Sequence, residues 1–253
     1  MEIIFLGTCA ADFSARLKNE CKDRFDYNAR RASCALLDGR YLIDCGPHVL
    51  DSLRIAGIGT EQITDVFITH FHSDHYNPKN LAEIAPERVW VREDAVIDGS
   101  MFKNTEILRM EDCRTYNVTP ELTVTGLKAN HDESVFPRHL VFEKNGKKLF
   151  YGLDGGWMLN KTYCFLRNAG FDAMIMDATC GDYVGDYRMG EHNSIPMLRL
   201  MVPSFRTAGL VKDNTKIYLS HLAPSLHKTH EETVEIVRED GFIVAYDGLK
   251  ITV

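Results

Sequence analysis

A dense group of potential metal ligands lies in the segment Thr69–Tyr76, which reads T-H-F-H-S-D-H-Y. Three histidines and one aspartate fall within six positions of this segment. Side chains alternate between the faces of a strand and align at i, i+3 or i+4 on a helix, so neither element brings all four together. A tight turn can direct one pair at one cation and the other pair at a second. The pairs are His70 with His72, and Asp74 with His75.

Further ligands follow apolar runs elsewhere in the chain. These runs lead to His131, Asp154 and His221. The carboxyl ends of neighbouring strands can converge on one cleft, so we expect these side chains to join the histidine-rich segment. The sequence therefore predicts two ligand groups, with Asp154 as the bridge between them. The first is His70, His72 and His131, and the second is Asp74, His75 and His221.

The ligand types predict both the metal and the chemistry. Imidazole and carboxylate without cysteine favour a borderline or hard divalent cation, so we expect two ions per chain, with zinc first and manganese or iron as alternatives. Each ion keeps an open position, which is typical of catalytic sites. Two divalent ions contribute four positive charges, and Asp74, Asp154 and a bridging hydroxide remove three of them. The one positive charge that remains suits an anionic phosphodiester. Such ions lie about 3.5–4 Å apart and lower the pKa of bound water towards about 7, so the bridging hydroxide would attack phosphorus.

The predicted catalytic residues are Asp74, which is also a ligand, and His192. Cleavage requires a proton for the leaving group, and His192 in the segment G-E-H-N-S is our predicted general acid. The competing interpretation is structural, since a lone histidine more often has that role.

Composition limits the function classes. The 253 residues carry a formal charge of −7 with 45% hydrophobic and 26% charged content, which is typical of a globular protein. A net negative charge disfavours nucleic acid as a partner. No apolar run approaches 18 residues and the start of the chain does not resemble a signal peptide, so we expect no membrane association. The seven cysteines form no C-x-x-C pair, which indicates reduced thiols and a cytoplasmic location.

The elements that must position these residues are short strands and a few helices, with no visible internal boundary in residues 1–253. Many hairpins with helices inserted between them predict an α/β sandwich of two mixed sheets flanked by helices. The predicted helices are 48–56, 77–85, 160–169 and 228–240. The predicted strands are 2–6, 34–37, 40–43, 65–69, 89–91, 122–129, 139–143, 148–153, 173–176, 216–220, 242–245 and 249–253.

The string T-H-x-H-x-D-H, followed in order by His131, Asp154 and His221, resembles the metallo-β-lactamase superfamily. The resemblance implies an αββα sandwich with a dinuclear site at one edge. Within it, the chain is most similar to the phosphoribosyl 1,2-cyclic phosphate phosphodiesterases of the carbon–phosphorus lyase pathway. The similar features include R-R-A-S-C at 30–34, His48, and L-S-H at 219–221.

This resemblance also favours roles for residues outside the ligand groups. It supports His192 as the acid and Asp44 as a hydrogen-bond acceptor for a ligand imidazole or the water shell. Arg30 and Arg31 have the guanidinium geometry that suits phosphate, although charged loops are usually solvated. That family holds a structural zinc with three loop cysteines and a downstream histidine. Here the loop has only Cys21 and the downstream position is Pro224, so we expect no structural zinc.

The sequence thus predicts a dinuclear-metal phosphodiesterase acting on a small cyclic phosphate ester, of the ribose 1,2-cyclic phosphate or 2′,3′-cyclic nucleotide type. The alternatives are a ribonuclease Z-like endonuclease that processes tRNA 3′ ends, and another ester, thioester or lactone hydrolase of the same fold. A non-catalytic metal-binding module is the alternative outside the enzymes. The expected partner is a small phosphate ester, and a homodimer is compatible with the sequence.

Overall fold

The computed structural model describes residues 1–102 and 104–253, which form two seven-stranded mixed sheets packed face to face. The first sheet has the order β14-β1-β2-β3-β4-β5-β6, with β1 Glu2–Gly7, β2 Cys34–Leu37, β3 Tyr41–Ile43, β4 Asp65–Phe67, β5 Arg88–Arg92, β6 Glu106–Met110 and β14 Lys250–Thr252. The second has the order β13-β12-β11-β10-β9-β8-β7, with β7 Thr115–Asn117, β8 Leu122–Lys128, β9 Arg138–Lys144, β10 Lys147–Gly152, β11 Phe171–Asp177, β12 Val211–Ser220 and β13 Ile243–Val244.

The helices are α1 Arg16–Asn19, α2 Val49–Ala56, α3 Pro78–Ile84, α4 Asn160–Leu166, α5 Ile195–Thr207 and α6 His230–Ile236. They lie on the outer faces of the two sheets, except α1, which packs within the first long loop. Residues of α2 and α3 share an apolar cluster with the first sheet, and residues of α4 and α5 share one with the second. The predicted αββα layering is therefore confirmed. Among the described residues, no helix has the length and apolar character needed to span a membrane.

Strand β1 shows why the sequences of the strands are continuous apolar runs. Ile3 and Phe5 face the core between the sheets, while Ile4 and Leu6 face the helices on the outside. Successive side chains on a strand point to opposite faces, and here both faces are covered. Burial on both sides therefore requires apolar residues at every position of the strand.

Parallel pairing brings the functional residues to one edge. Strands β3 to β6 are parallel in the first sheet, as are β10, β11 and β12 in the second. The segments after these carboxyl ends include Asp44, the histidine-rich turn, Asp154 and His221. The open edge shared by the two sheets is thus where the predicted ligands emerge.

Each predicted strand and helix has a counterpart, with ends shifted by a few residues. Two strands and two α-helices were not predicted: β6, β7, α1 and the 13-residue helix α5. The last predicted helix is shorter than expected, because α6 ends at Ile236 and a separate 3₁₀ turn covers Arg238–Asp240.

Candidate metal centre

The histidine-rich segment after β4 is a tight turn. The amides of His75 and Tyr76 both donate to the carbonyl of His72, at 3.0 and 2.9 Å. The amide of Phe71 donates to the carbonyl of Val135 at 3.1 Å. This bond joins the turn to the segment between β8 and β9 of the second sheet. This turn displays its four polar side chains in two pairs, as the spacing predicted.

The first ligand group consists of three imidazoles. His72 Nδ1 lies 3.2 Å from His70 Nε2 and 3.1 Å from His131 Nε2. One nitrogen from each ring falls within 4.8 Å of the others, a spacing at which three ligands can share one cation.

The second group combines two imidazoles with a carboxylate. The Nε2 atoms of His75 and His221 lie 3.2 Å apart. Asp74 Oδ2 is 3.3 Å from the first of these nitrogens and 3.5 Å from the second. These three residues form another cluster of ligand atoms within 4.8 Å.

Asp154 lies between the two groups and presents one oxygen to each. Its Oδ1 is 4.0 Å from His70 Nε2 and 3.8 Å from His131 Nε2. Its Oδ2 is 2.9 Å from His75 Nε2 and 3.1 Å from His221 Nε2. This second oxygen is buried, yet it has no hydrogen bond of good geometry with a described residue. A bridging carboxylate between two cations would have this placement, and the structure brings all seven predicted ligands into one cluster.

The ionisation of the cluster suits cation binding. Burial, with a further contribution from neighbouring imidazoles, lowers the pKa of His70 and His131 and keeps both rings in the neutral form that binds metals. Burial also opposes the charged form of His75, but Asp154, Asp74 and Asp44 outweigh it and raise the pKa of that ring well above its ordinary value. The carboxylates therefore create a negative potential that divalent cations would neutralise.

Asp44 and Thr179 hold two of the ligand rings from behind. Asp44 Oδ2 accepts a bond of 2.8 Å from His75 Nδ1, and the same carboxylate accepts from the amide and hydroxyl of Thr69. Thr179 Oγ1 donates to a carboxylate oxygen of Asp177 at 3.0 Å, so it accepts from His221 Nδ1 at 2.7 Å. Both contacts place the ring proton on Nδ1 and leave the Nε2 lone pair for a cation. Asp44 thus makes the predicted contact with a ligand imidazole.

Asp177 organises this side of the site, and the sequence analysis did not single it out. Its carboxylate accepts from the amides of Asp154, Thr179 and Asn193, at 3.1, 3.0 and 2.9 Å, and from His192 Nδ1 at 3.0 Å. The available signal was an aspartate that ends an apolar strand, which is how Asp154 was found.

His192 lies over the ligand cluster. Its ring centroid is 5.0 Å from that of His131 and 5.5 Å from that of His221, and its Nδ1 is 3.8 Å from Asp154 Oδ1. Burial alone would lower its pKa, but Asp177, followed by Asp154 and Glu191, raises the pKa to about 9. Asp177 thus favours the protonated form of the ring, which a general acid requires.

A cavity of about 350 Å³ opens above the cluster. Its walls include five of the ligands and His192, together with residues that the sequence analysis did not assign to the site. The latter are Ala10, Ala11, Asp12, Ser73, Thr179, Arg188, Glu191 and Ala223. The cavity is at the small end of the range for ligand sites.

Arg30 and Arg31 have structural roles instead of the predicted phosphate-binding one. Both are buried, and neither is among the described residues that line the cavity. Arg30 Nη1 donates to Thr8 Oγ1 at 2.7 Å and to the carbonyl of Ala245 at 2.6 Å. The Nη2 group of Arg31 donates to the carbonyl of Cys21 at 2.6 Å. Arg30 thus ties the first long loop to the segment after β13, and Arg31 ties parts of that loop to each other. Residue type and spacing do not distinguish these roles from ligand binding.

Comparisons with known proteins agree with this architecture. The family described as "Anti-Pycsar protein Apyc1" matches residues 1–96. A ribonuclease Z from Methanothermobacter thermautotrophicus is 36% identical over 77 residues, which cover 30% of this chain and 21% of that protein. The match thus spans about a fifth of the curated relative's length.

Solved structures are similar over nearly the whole chain. Zn²⁺-bound PqqB from Methylobacterium extorquens has a TM-score of 0.75 at 18% identity, with 100% of both chains covered. YhfI from Bacillus subtilis, a metallo-β-lactamase fold protein, has a TM-score of 0.74 at 15% identity, covering 99% of this chain and 98% of that one. A diphosphatase of the PhnP family has a TM-score of 0.72 at 18% identity, covering 99% and 96%. The chain has the metallo-β-lactamase fold, which confirms the fold that the resemblance implied.

Proposed function

We propose that this protein is a metal-dependent hydrolase that cleaves a phosphodiester bond in a small cyclic phosphate ester. The substrate class is the ribose 1,2-cyclic phosphate or 2′,3′-cyclic nucleotide type. The observation that carries the proposal is the pair of ligand groups with one oxygen of Asp154 facing each, next to a cavity that also contains His192.

The seven ligands would hold two divalent cations, with zinc as the first choice because imidazole dominates the set. When bound, such a pair would lower the pKa of a water molecule and stabilise charge that develops on the substrate. The protein contributes two rings, those of His75 and His221, whose Nδ1 protons are already directed away from the cluster. This arrangement limits the reorganisation that loading requires.

The charge of the cavity favours an anionic ester over a neutral lactone or thioester. Its walls carry four carboxylates, Asp12, Asp74, Asp154 and Glu191, whose charge two divalent cations would balance. With those charges balanced, Arg188 and His192 present positive charge to an entering ligand. A phosphodiester carries one negative charge and matches that potential.

His192 would act as general acid towards the leaving alkoxide. Its Nδ1 is bonded to Asp177, so Nε2 is the atom that remains to donate a proton. Asp177 fixes the orientation of the ring and favours its protonated form. Asp177 at the end of β11 therefore aligns an acid that lies fifteen residues further along the chain.

A ribonuclease Z-like activity is the second candidate, because a ribonuclease Z is among the relatives. Two observations favour the small substrate. The cavity is about 350 Å³, and the chain has a net charge of −7, which opposes binding of a tRNA backbone.

The test uses protein with quantified metal content and four substrates: a 2′,3′-cyclic nucleotide, a ribose 1,2-cyclic phosphate, a tRNA precursor and a neutral lactone. We expect turnover of a cyclic phosphate and loss of that turnover in His72→Ala. Cleavage of the tRNA precursor without turnover of either small ester would reverse the ranking, and turnover of the lactone alone would defeat both.

A second arm tests the role of His192. His192→Ala should keep its metals but cleave the cyclic phosphate about 100- to 10,000-fold more slowly. A p-nitrophenyl phosphodiester, whose leaving group needs no proton, should be much less affected. His230→Ala, a histidine outside the cavity, is the control. Equal loss on both substrates would mean that His192 is not the acid.

We also infer a cytoplasmic location for the protein. The seven cysteines are all unpaired, and four of them are fully buried, which fits a reducing compartment.

A further inference from the structure

The turn that precedes His192 contains a positively charged residue with no assigned role. A 3₁₀ turn covers Tyr187–Gly190, and Asp186 caps it. The carbonyl of Arg188 in this turn accepts from the amides of Glu191 and His192, at 2.9 and 2.8 Å. The position of Arg188 is thus tied through the backbone to that of the proposed acid.

One carboxylate holds Arg188 at three points. Asp186 Oδ1 accepts from the Arg188 amide and from Nε, each at 2.9 Å, and Oδ2 accepts from Nη2 at 2.9 Å. The bonds from Arg188 lower the pKa of Asp186 to about 2, so the pair stays ionised over the working pH range. The guanidinium is therefore fixed in orientation before any ligand arrives.

This pairing leaves part of the guanidinium free to bind a ligand. The contact with Asp186 uses Nε and Nη2, while the edge that carries Nη1 lies on the opposite side of the planar group. The Arg188 side chain is 30% exposed and lines the cavity above the ligand cluster. Arginine in such a position presents a flat pair of donors that matches two oxygens of a phosphate.

Among the described residues that line this cavity, Arg188 is the only lysine or arginine. The other permanently charged side chains in the wall are carboxylates, which repel an anion. A phosphate ester that enters therefore has one cationic side chain to approach apart from the histidines. This charge distribution distinguishes Arg188 from arginines that merely pair on the surface.

We propose that Arg188 binds a non-bridging oxygen of the substrate's phosphate and, with His192 on the same turn, sets the distance between the phosphate and the proton donor. This inference rests on the proposed function. It adds a substrate-binding residue, held by Asp186, on the side of the cavity formed by residues 186–192.

The test compares Arg188→Ala with Arg114→Ala as a matched control. Arg114 also pairs with a nearby carboxylate, Glu111 at 2.5 Å, and lies 5.3 Å from the ring of Tyr116, as Arg188 lies 5.4 Å from that of Tyr187. Arg114 is not among the described residues that line the cavity. Both variants therefore lose an ion pair and a contact with a tyrosine ring, but only Arg188→Ala loses the proposed contact with the ligand.

We expect the Arg188→Ala variant to keep its metals. Its kcat/KM for the cyclic phosphate should be about 10- to 100-fold lower, which is the range of a charge-assisted hydrogen bond. Most of this loss should appear as an increase in KM. Guanidinium ion added at millimolar concentration should restore part of the loss in Arg188→Ala and have no effect on Arg114→Ala. Asp186→Asn, which keeps the cap but weakens the clamp, should show a smaller increase in KM.

A binding measurement separates this inference from the proposed function. Inorganic phosphate should bind the metal-loaded wild type at least tenfold more tightly than Arg188→Ala by calorimetry, whether or not a substrate is turned over. Equal phosphate affinity in the two proteins would overturn the assignment. So would a loss of activity in Arg188→Ala that is accompanied by metal loss and not rescued by guanidinium. Absence of phosphodiester turnover in the wild type would instead defeat the proposed function.

Discussion

Replacing Asp44 by asparagine removes one charge from behind the ligand cluster while keeping the shape of the side chain. Asp44 is fully buried, and its two oxygens accept from His75 Nδ1 and from the amide and hydroxyl of Thr69. Its φ of 66° is left-handed, a region that asparagine tolerates better than most residues. The backbone should therefore accept the substitution without added strain.

The magnitude follows from counting donors. An asparagine has one acceptor oxygen, so whichever way the amide turns, its NH₂ group faces either the Thr69 amide or His75 Nδ1–H. In the first orientation a buried donor loses its partner at a cost of about 1–3 kcal/mol. In the second, His75 must move its proton to Nε2, the atom that would bind the cation. We expect the second ion to bind about 10- to 100-fold more weakly, as for other supports of ligand histidines, or about 1.4–2.7 kcal/mol.

The assay is competition for zinc against a chromogenic chelator, with metal content counted on the same samples. Asp65→Asn is the matched control, since Asp65 is also fully buried in the first sheet and accepts from Trp90 Nε1 at 2.7 Å and from Arg88. Both variants should lose stability towards urea, but only Asp44→Asn should lose affinity for one of two ions. If Asp44→Asn binds both ions as tightly as the wild type, the inferred control of the His75 tautomer is refuted.

Two further substitutions test the packing around the site. In Gly46→Ala, the new Cβ would lie 1.8 Å from the carbonyl oxygen of Asp74, so the ligand turn must shift. We expect the free energy of unfolding to fall by about 1–3 kcal/mol and metal binding to weaken. The control is Gly39→Ala, whose Cβ would have nothing within 4 Å and which should affect stability alone. His227 donates from Nε2 to the carbonyl of Ala178 at 2.7 Å, and burial, aided by Arg30 and opposed by that bond, Asp177 and Asp12, lowers its pKa to about 4. The unfolded chain binds the second ring proton of His227 more tightly than the folded protein does. The neutral ring therefore contributes to stability above about pH 6.5, and about 3 kcal/mol of this contribution is lost as the pH falls towards 4. His227→Gln, which keeps a donor but does not titrate, should unfold in urea with a shallower decline between pH 7 and 4.5; an unchanged decline would show that this histidine is not responsible.

The helices and strands that were not predicted from the sequence were missed for identifiable physical reasons. Helix α5 contains Pro196 in its first turn and Pro203 in its interior, and an interior proline normally breaks a helix. The structure retains the helix because Leu198, Met201, Val202 and Phe205 bury one continuous face against the second sheet. Tertiary burial thus outweighed the local signal. Strands β6 and β7 lie at sheet edges and are mostly polar or half-buried, so their apolar alternation was weak.

Some residues of the site could be predicted from residue type and spacing, and others could not. Three histidines and one aspartate within six positions form an unusual segment, which led to the seven predicted ligands, whereas Asp177, which also ends an apolar strand, was missed. Arg188 lies in an irregular loop where arginine is an ordinary surface residue, and only its place in the cavity wall distinguishes it. The reverse holds for Arg30, since a charged loop gave no indication that this side chain is buried.

Strand register explains why residues so far apart in the chain meet at atomic distances. In the second sheet, Gly152 pairs with Met176, and Met176 pairs with Leu219, so the ends of β10, β11 and β12 lie at one level. Asp154 and His221 follow at once and turn there with φ of 50° and 59°, conformations that cost non-glycine residues about 1–3 kcal/mol. That cost is tolerated because the bends direct both side chains at the turn from the first sheet. A slip of one residue in any of these pairings would reverse the faces of a whole strand, so the ligand cluster depends on the register as strictly as the core does.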